Sequence, residues 1–128
     1  MIGAVIDDLK QSFAHIVCID DGSSDDSAEA ARAAGATVVV HPINLGQGAS
    51  LQTGFEFALS DPAMTEVVTF DADGQHQVSD AVSMIEKLHA DELDVVIGSR
   101  FLDDRTSMSR AKRSVLRAAA AYTRATSG

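Results

Sequence analysis

The 128-residue chain is poor in several things that would otherwise dominate its chemistry. It has a single cysteine, Cys18, which excludes an intrachain disulfide and, lying in an apolar run, reads as a small buried hydrophobe. Basic residues are scarce: 10 Lys and Arg against 19 Asp and Glu give a net charge of −9. That balance argues against non-specific binding to nucleic acid or to an anionic membrane surface, and it suits a cation-assisted site. No basic stretch followed by a long apolar one opens the chain, no apolar run is long enough to span a bilayer, and no repeat or low-complexity tract interrupts it. A reducing, cytoplasmic setting is compatible with these absences.

What is present is the material of one globular domain. A hydrophobic fraction of 45% and a charged fraction of 23% exclude disorder, and a chain of this length buries roughly two-thirds of its extended surface on folding. Ile2, Val5, Ile6, Leu9 and Phe13 recur at helical spacing and predict a helix over most of the first dozen residues. Ile16-Val17-Cys18-Ile19 reads as a strand, residues 25–34 as an Ala-rich helix with Ser23, Ser24 or Asp25 as cap and Gly35 as stop, and residues 37–40 as strand. A helix over 49–59 should bury Leu51, Phe55 and Ala58 or Leu59. Strand 67–70, a helix from Ser79 or Asp80, strand 94–97, a polar loop over 102–109 and a basic helix over 110–124 complete the pass. Alternation of this kind predicts a mainly parallel sheet in an α/β three-layer sandwich, with ligands bound outside the carboxyl ends of the strands.

Three polar clusters fall at those ends. Val67-Val68-Thr69-Phe70 runs into Asp71-Ala72-Asp73-Gly74-Gln75-His76, delivering two carboxylates one residue apart into a glycine-containing loop. Like charges so close repel, and a hard divalent cation offsets them; Asp71 and Asp73 are therefore candidate ligands for Mg²⁺ or Mn²⁺, with Gln75 as a neutral oxygen ligand. Strand-end acids equally serve as turn formers and caps. Asp20-Asp21-Gly22-Ser23 offers acceptors for a nucleobase or ribose; capping accounts for one acid, not for an adjacent pair. Gly98-Ser99-Arg100 ends the last strand with a guanidinium suited to a phosphate, though a surface ion pair is the plainer use. Asn44-Leu45-Gly46-Gln47-Gly48 opens a helix but lacks the lysine of a P-loop, so its glycines read mainly as turn and close-packing positions, with Gly48 kept as a substrate contact. His15, His41, His76 and His89 read as surface or capping groups.

With these motifs in order, the chain resembles a family 2 glycosyltransferase of the GT-A fold, closest to the group that transfers a sugar to polyprenyl or dolichyl phosphate. The resemblance implies a nucleotide-diphospho-sugar donor and a polyprenyl phosphate acceptor. It implies that Asp20, Asp21 and Ser23 hold base or ribose, that Asp71, Asp73 and Gln75 gather metal and diphosphate, and that Asp73 and Arg100 carry the catalysis. Residues 1–109 would form a nucleotide-sugar-binding domain and 110–128 the start of an acceptor-side region. The family's first strand, ending in a Pro-Ala-Tyr-Asn-Glu-like segment, has no counterpart before Met1. The expectation is a truncated GT-A domain that lacks this strand and the C-terminal part, associates through exposed strand edges as a homo-oligomer, and is membrane-associated in a full-length form. Three other readings stay open on the residues alone: a receiver-like, Mg-dependent phosphoacceptor, a phosphatase using Asp-x-Asp-Gly, and a non-catalytic nucleotide-binding or assembly fragment.

Overall fold

The apolar stripe at the start of the chain forms helix α1 (Ile2–Leu9), and Ile6, 2% exposed, is its most deeply buried member. The computed structural model describes residues 1–74 and 76–98. The chain divides into two compact units, Met1–Val96 and Ile97–Gly128, and the helices and strands among the described residues belong to the first. The expected boundary at 109/110, the polar loop and the basic helix lie outside the described residues, as do Gln75, Ser99 and Arg100.

After α1 come β1 (Val17–Asp20), α2 (Ser27–Ala33), β2 (Thr37–Val40), α3 (Gln47–Leu59) and α4 (Val78–Ala90). β1 and β2 pair in parallel, Val17 opposite Thr37 and Asp20 opposite Val40, with α2 as the crossover that parallel strands require. Thr37 N–H to Ile16 O at 2.9 Å and His41 N–H to Asp20 O at 2.8 Å extend the ladder at both ends. Ile6, Ala31 and Ala36 form the centre of the core, packed by Ile2, Ile16, Cys18, Ala34 and Val38. Alanines let α1 and α2 approach closely, at the expense of buried apolar area per residue.

Helix α2 stops where expected. Gly35 has φ 91°, its N–H meets Arg32 O, and Ala36 N–H meets Ala31 O, the paired closure of a Schellman end. Lys10 Nζ donates to the Ala34 carbonyl at 2.9 Å, setting a cation on the negative end of the helix. At its start Asp26 occupies the cap position without a side-chain bond, and the expected capper Asp25 instead accepts the Ser27 N–H at 3.1 Å.

Two expectations need correction. Residues 67–70 and 94–97 are not strands: among the described residues the sheet has two strands, β1 and β2. Exposure still alternates along 65–70, with Val68 and Phe70 turned inward, but a strand exists only where a ladder forms, and residues 67–70 meet no partner edge among the described residues. They and β1 line one cavity of about 890 Å³ instead. The face of α3 is also not buried: Leu51 is 39% exposed, Phe55 40% and Leu59 77%. Leu51, Phe55 and Ala58 border the same cavity, so the periodicity located the apolar face and the space before it explains its exposure.

Gly22, with φ 74°, lies against the loop entering α3; a Cβ there would stand 2.8 Å from Asn44 N and from Ile43 C. Gly22→Ala is expected to lose about 2 kcal/mol or more in urea unfolding, from positive-φ strain together with the backbone clash. Gly48→Ala, whose Cβ meets nothing within 4 Å, should be as stable as the parent or slightly more so.

Candidate donor site

The carboxyl end of β1 carries two acids because each closes a different loop. Asp20 is 6% exposed, and its Oδ1 accepts the Ser23 N–H at 2.8 Å, closing the turn that Gly22 permits. Asp21 reaches across to the loop before α3. Its Oδ1 accepts the Leu45 N–H at 2.9 Å and faces His41 Nδ1 at 2.7 Å; its Oδ2 accepts the Gly46 N–H at 2.7 Å. Three of about four acceptor positions are thus engaged, leaving one for a ligand. Gly46 sits at φ 90° and ψ 161°, backbone essentially reserved for glycine, and is the cap residue of α3, which has no side-chain cap bond. A carboxylate on two successive amides at that point replaces the cap and complements the positive helix end.

These bonds hold Asp21 below the usual carboxylate range, the His41 contribution being largest, then the Leu45 amide. The opposite holds for Cys18 in the same strand, where burial first and the Asp20 charge second push the thiol up.

His41 corrects the expectation of a surface histidine. It is 8% exposed, and its Nε2 lies 2.9 Å from Thr53 Oγ1 in α3. Sequence reasoning missed both His41 and Thr53. A signal was available: His41 ends the β2 run just as Asp20 and Asp21 end the β1 run, and parallel pairing puts such ends side by side.

The second acidic cluster is more open. Asp71 and Asp73 are exposed, Ala72 between them is half-buried, and Gly74 turns the chain at φ 77°. His76 closes this loop from the side: its Nδ1 accepts the Asp71 N–H at 3.2 Å, and its ring meets Phe70 edge-on, centroids 5.5 Å apart. His89 instead pairs with Glu66 at the far end of the 66–70 segment.

A cavity of about 470 Å³ is lined by Asp20, Asp21 and Ser23 after β1, by Asp25 and Asp26 before α2, and, from the second cluster, by Ala72. Asp71 and Asp73 line the larger cavity, to which Ala72 also contributes, so that residue joins the two spaces. Gly48 borders neither cavity. Among the described residues, no three His, Cys, Asp or Glu side chains cluster as a metal centre. Two hard carboxylates on a turn match a cation that takes its remaining ligands from a diphosphate and water, the usual way Mg²⁺ is held.

A family model described as Glycosyl transferase family 2 matches residues 1–125. The chain is 38% identical over 104 residues to the uncharacterized protein MJ1222 of Methanocaldococcus jannaschii, covering 80% of this chain and 42% of that one. It is 37% identical over 114 residues to the glycosyltransferase AglJ of Haloferax volcanii, covering 88% and 36%. With the undecaprenyl-phosphate 4-deoxy-4-formamido-L-arabinose transferase of Klebsiella pneumoniae it shares 40% identity over 90 residues, 66% of this chain and 26% of the relative. The chain therefore spans less than half the length of these relatives. No solved structure matches it significantly.

The depressed Asp21 has a pH signature. A carboxyl whose folded value lies below its unfolded one stabilises the fold above the unfolded value, about 3.8, and that contribution is lost as pH falls through the folded value. Acid unfolding of Asp21→Asn, followed by circular dichroism, should therefore be less pH-dependent than the parent's below pH 4 or so, while its stability at neutral pH is lower.

Proposed function

The chain belongs to glycosyl transferase family 2, and on that premise we propose that it binds a nucleotide-diphospho-sugar and forms the donor half of a transferase that passes the sugar to a polyprenyl phosphate. Membership in the family sets aside the receiver-like and phosphatase-like readings. The observation that supports the donor site most is the 470 Å³ cavity shared by Asp20, Asp21, Ser23 and Ala72, a volume in the range of small-molecule sites. In this reading the polar turn after β1 receives the base or ribose. The 71–74 turn receives the diphosphate, with Gln75 and Arg100 as further contacts supplied by the sequence. The acceptor class is supported by the name of the Klebsiella pneumoniae relative, and the fold proposed for the whole is the GT-A sandwich.

The chemistry asked of the residues is modest. A phosphate acceptor is already an anion, so no strong general base is needed, and catalysis reduces to alignment and to stabilising the departing diphosphate. Family 2 transferases generally use a divalent metal. When bound, a Mg²⁺ or Mn²⁺ ion would supply neutralising charge, and Asp71, Asp73 and Gln75 are the residues proposed to hold it. Asp73 and Arg100 keep the leaving diphosphate in place. Asp21 serves the site chiefly through the loop it ties. No helix among the described residues is long and apolar enough to cross a membrane, and the membrane association proposed for a longer form comes through the lipid acceptor.

Self-association is the second part of the proposal. Parallel pairing alternates: Ile16 and Asp20 direct their carbonyls to β2, which turns the N–H and C=O of Val17 and Ile19 toward the opposite edge of β1, beside the larger cavity. Among the described residues no strand lies on that edge; an open edge is a template for another strand, and a second copy supplies one.

Calorimetry with a nucleoside diphosphate and Mn²⁺ should show metal-dependent binding that weakens about tenfold or more in Asp73→Ala. Equal affinity in the presence of a chelator would exclude the metal role. Light scattering at concentrations on the order of tens of micromolar should report a species larger than 13.4 kDa; a clean monomer would exclude the association.

A further inference from the structure

We propose that His41 is the positioning residue of this site: its ring holds Asp21 as the anion that shapes the loop over 43–48 and the first turn of α3. The functional side of this inference rests on the donor-site reading; the geometric side does not.

Four elements of structure meet at His41 and its partner Asp21. The His41 backbone N–H closes the β1–β2 ladder on the Asp20 carbonyl at 2.8 Å. Its Nδ1 faces the Asp21 carboxylate at 2.7 Å, and its Nε2 the Thr53 hydroxyl at 2.9 Å, so the ends of β1 and β2 and the body of α3 share one joint. The fourth element is the loop itself, tied to the same carboxylate through Leu45 N–H and Gly46 N–H. A ring 8% exposed, with both nitrogens engaged, has little freedom to turn.

The proton inventory assigns the tautomer. An ionised carboxylate only accepts, so Nδ1 carries the hydrogen toward Asp21; when the ring holds that single proton, Nε2 accepts from the Thr53 O–H. Removing the ring would free a carboxylate that lies beside Asp20 and lines the 470 Å³ cavity. The carboxylate could then turn from the loop amides to water, and the Gly46 N–H, at φ 90°, would lose the shorter of its two side-chain acceptors, keeping only Asn44 Oδ1 at 3.1 Å. The order hydroxyl, imidazole, carboxylate is also that of a nucleophilic relay. Thr53, however, lies within α3 and lines neither of the two cavities.

The two nitrogens can be tested separately, because Asn carries its amide near the Nδ1 position and Gln near the Nε2 position. Long-range ¹H–¹⁵N spectra of the unsubstituted protein at neutral pH should show the Nδ1–H tautomer. The Leu45 and Gly46 amide signals should be displaced in His41→Gln and His41→Ala and largely restored in His41→Asn. Nucleoside diphosphate binding with Mn²⁺ should weaken about tenfold in the Gln and Ala variants, the scale of one charge-assisted bond, with Asn recovering most of the loss. An Nε2–H tautomer, or equal displacement of the two amides by Asn and Gln, overturns the proposal. If the unsubstituted protein binds no nucleotide, the donor-site reading fails while the two spectra still decide the role of His41.

Discussion

The Asp21 carboxylate is the constraint on which the rest of the site depends. It sits at the end of a strand, in contact with a buried imidazole, and takes two amide hydrogens from a loop that glycine alone can shape. Charge-assisted bonds of this kind are roughly twice as strong as neutral ones, and a half-satisfied version is worse than none because the group is no longer fully solvated. The network thus fixes where β1, β2 and α3 meet. The packing does less there: the core centre consists of Ile6 and small alanines, and α3 has no buried residue. In this small domain polar closure at the strand ends complements a thin apolar core.

That division of labour bears on function. Asp20 and Asp21 look equivalent as letters, yet the fold gives them different tasks, one closing its own turn and the other holding a neighbouring loop. Asp71 and Asp73 stand instead exposed on a turn. Exposed paired acids invite a cation, whereas the acids after β1 shape a pocket. The two groups meet through Ala72, which lines both cavities. The turn after β1 and the 71–74 turn are thus two distinct polar surfaces on adjoining cavities.

Much of this was legible in the sequence where the signal is local. Helical periodicity located α1, α3 and α4, and Gly35 marked the end of α2, because apolar spacing and positive φ are properties of a few neighbouring residues. The family's motifs were likewise visible as short strings. What failed was non-local. Residues 67–70 carry strand composition, but they share a cavity with β1 instead of pairing with its unpaired edge, and no residue count predicts that space. Leu51 and Phe55 were assigned to the correct face and to the wrong degree of burial for the same reason. His41 was misread because a lone histidine shows nothing of its neighbours: its partners lie 20 residues before it and 12 after it.

The most direct test of a single ligand bridging the two acidic turns is paramagnetic broadening of the backbone amide spectrum by Mn²⁺ added with a nucleoside diphosphate. The expected result is loss of the Ala72, Asp73 and Gly74 signals, with graded broadening of Gly22 and Ser23 that appears only when the nucleotide is present. Broadening confined to other acidic positions, such as Asp7 and Asp8 of α1 or Asp91 after α4, or a response around Asp73 that leaves Gly22 and Ser23 untouched, would contradict it.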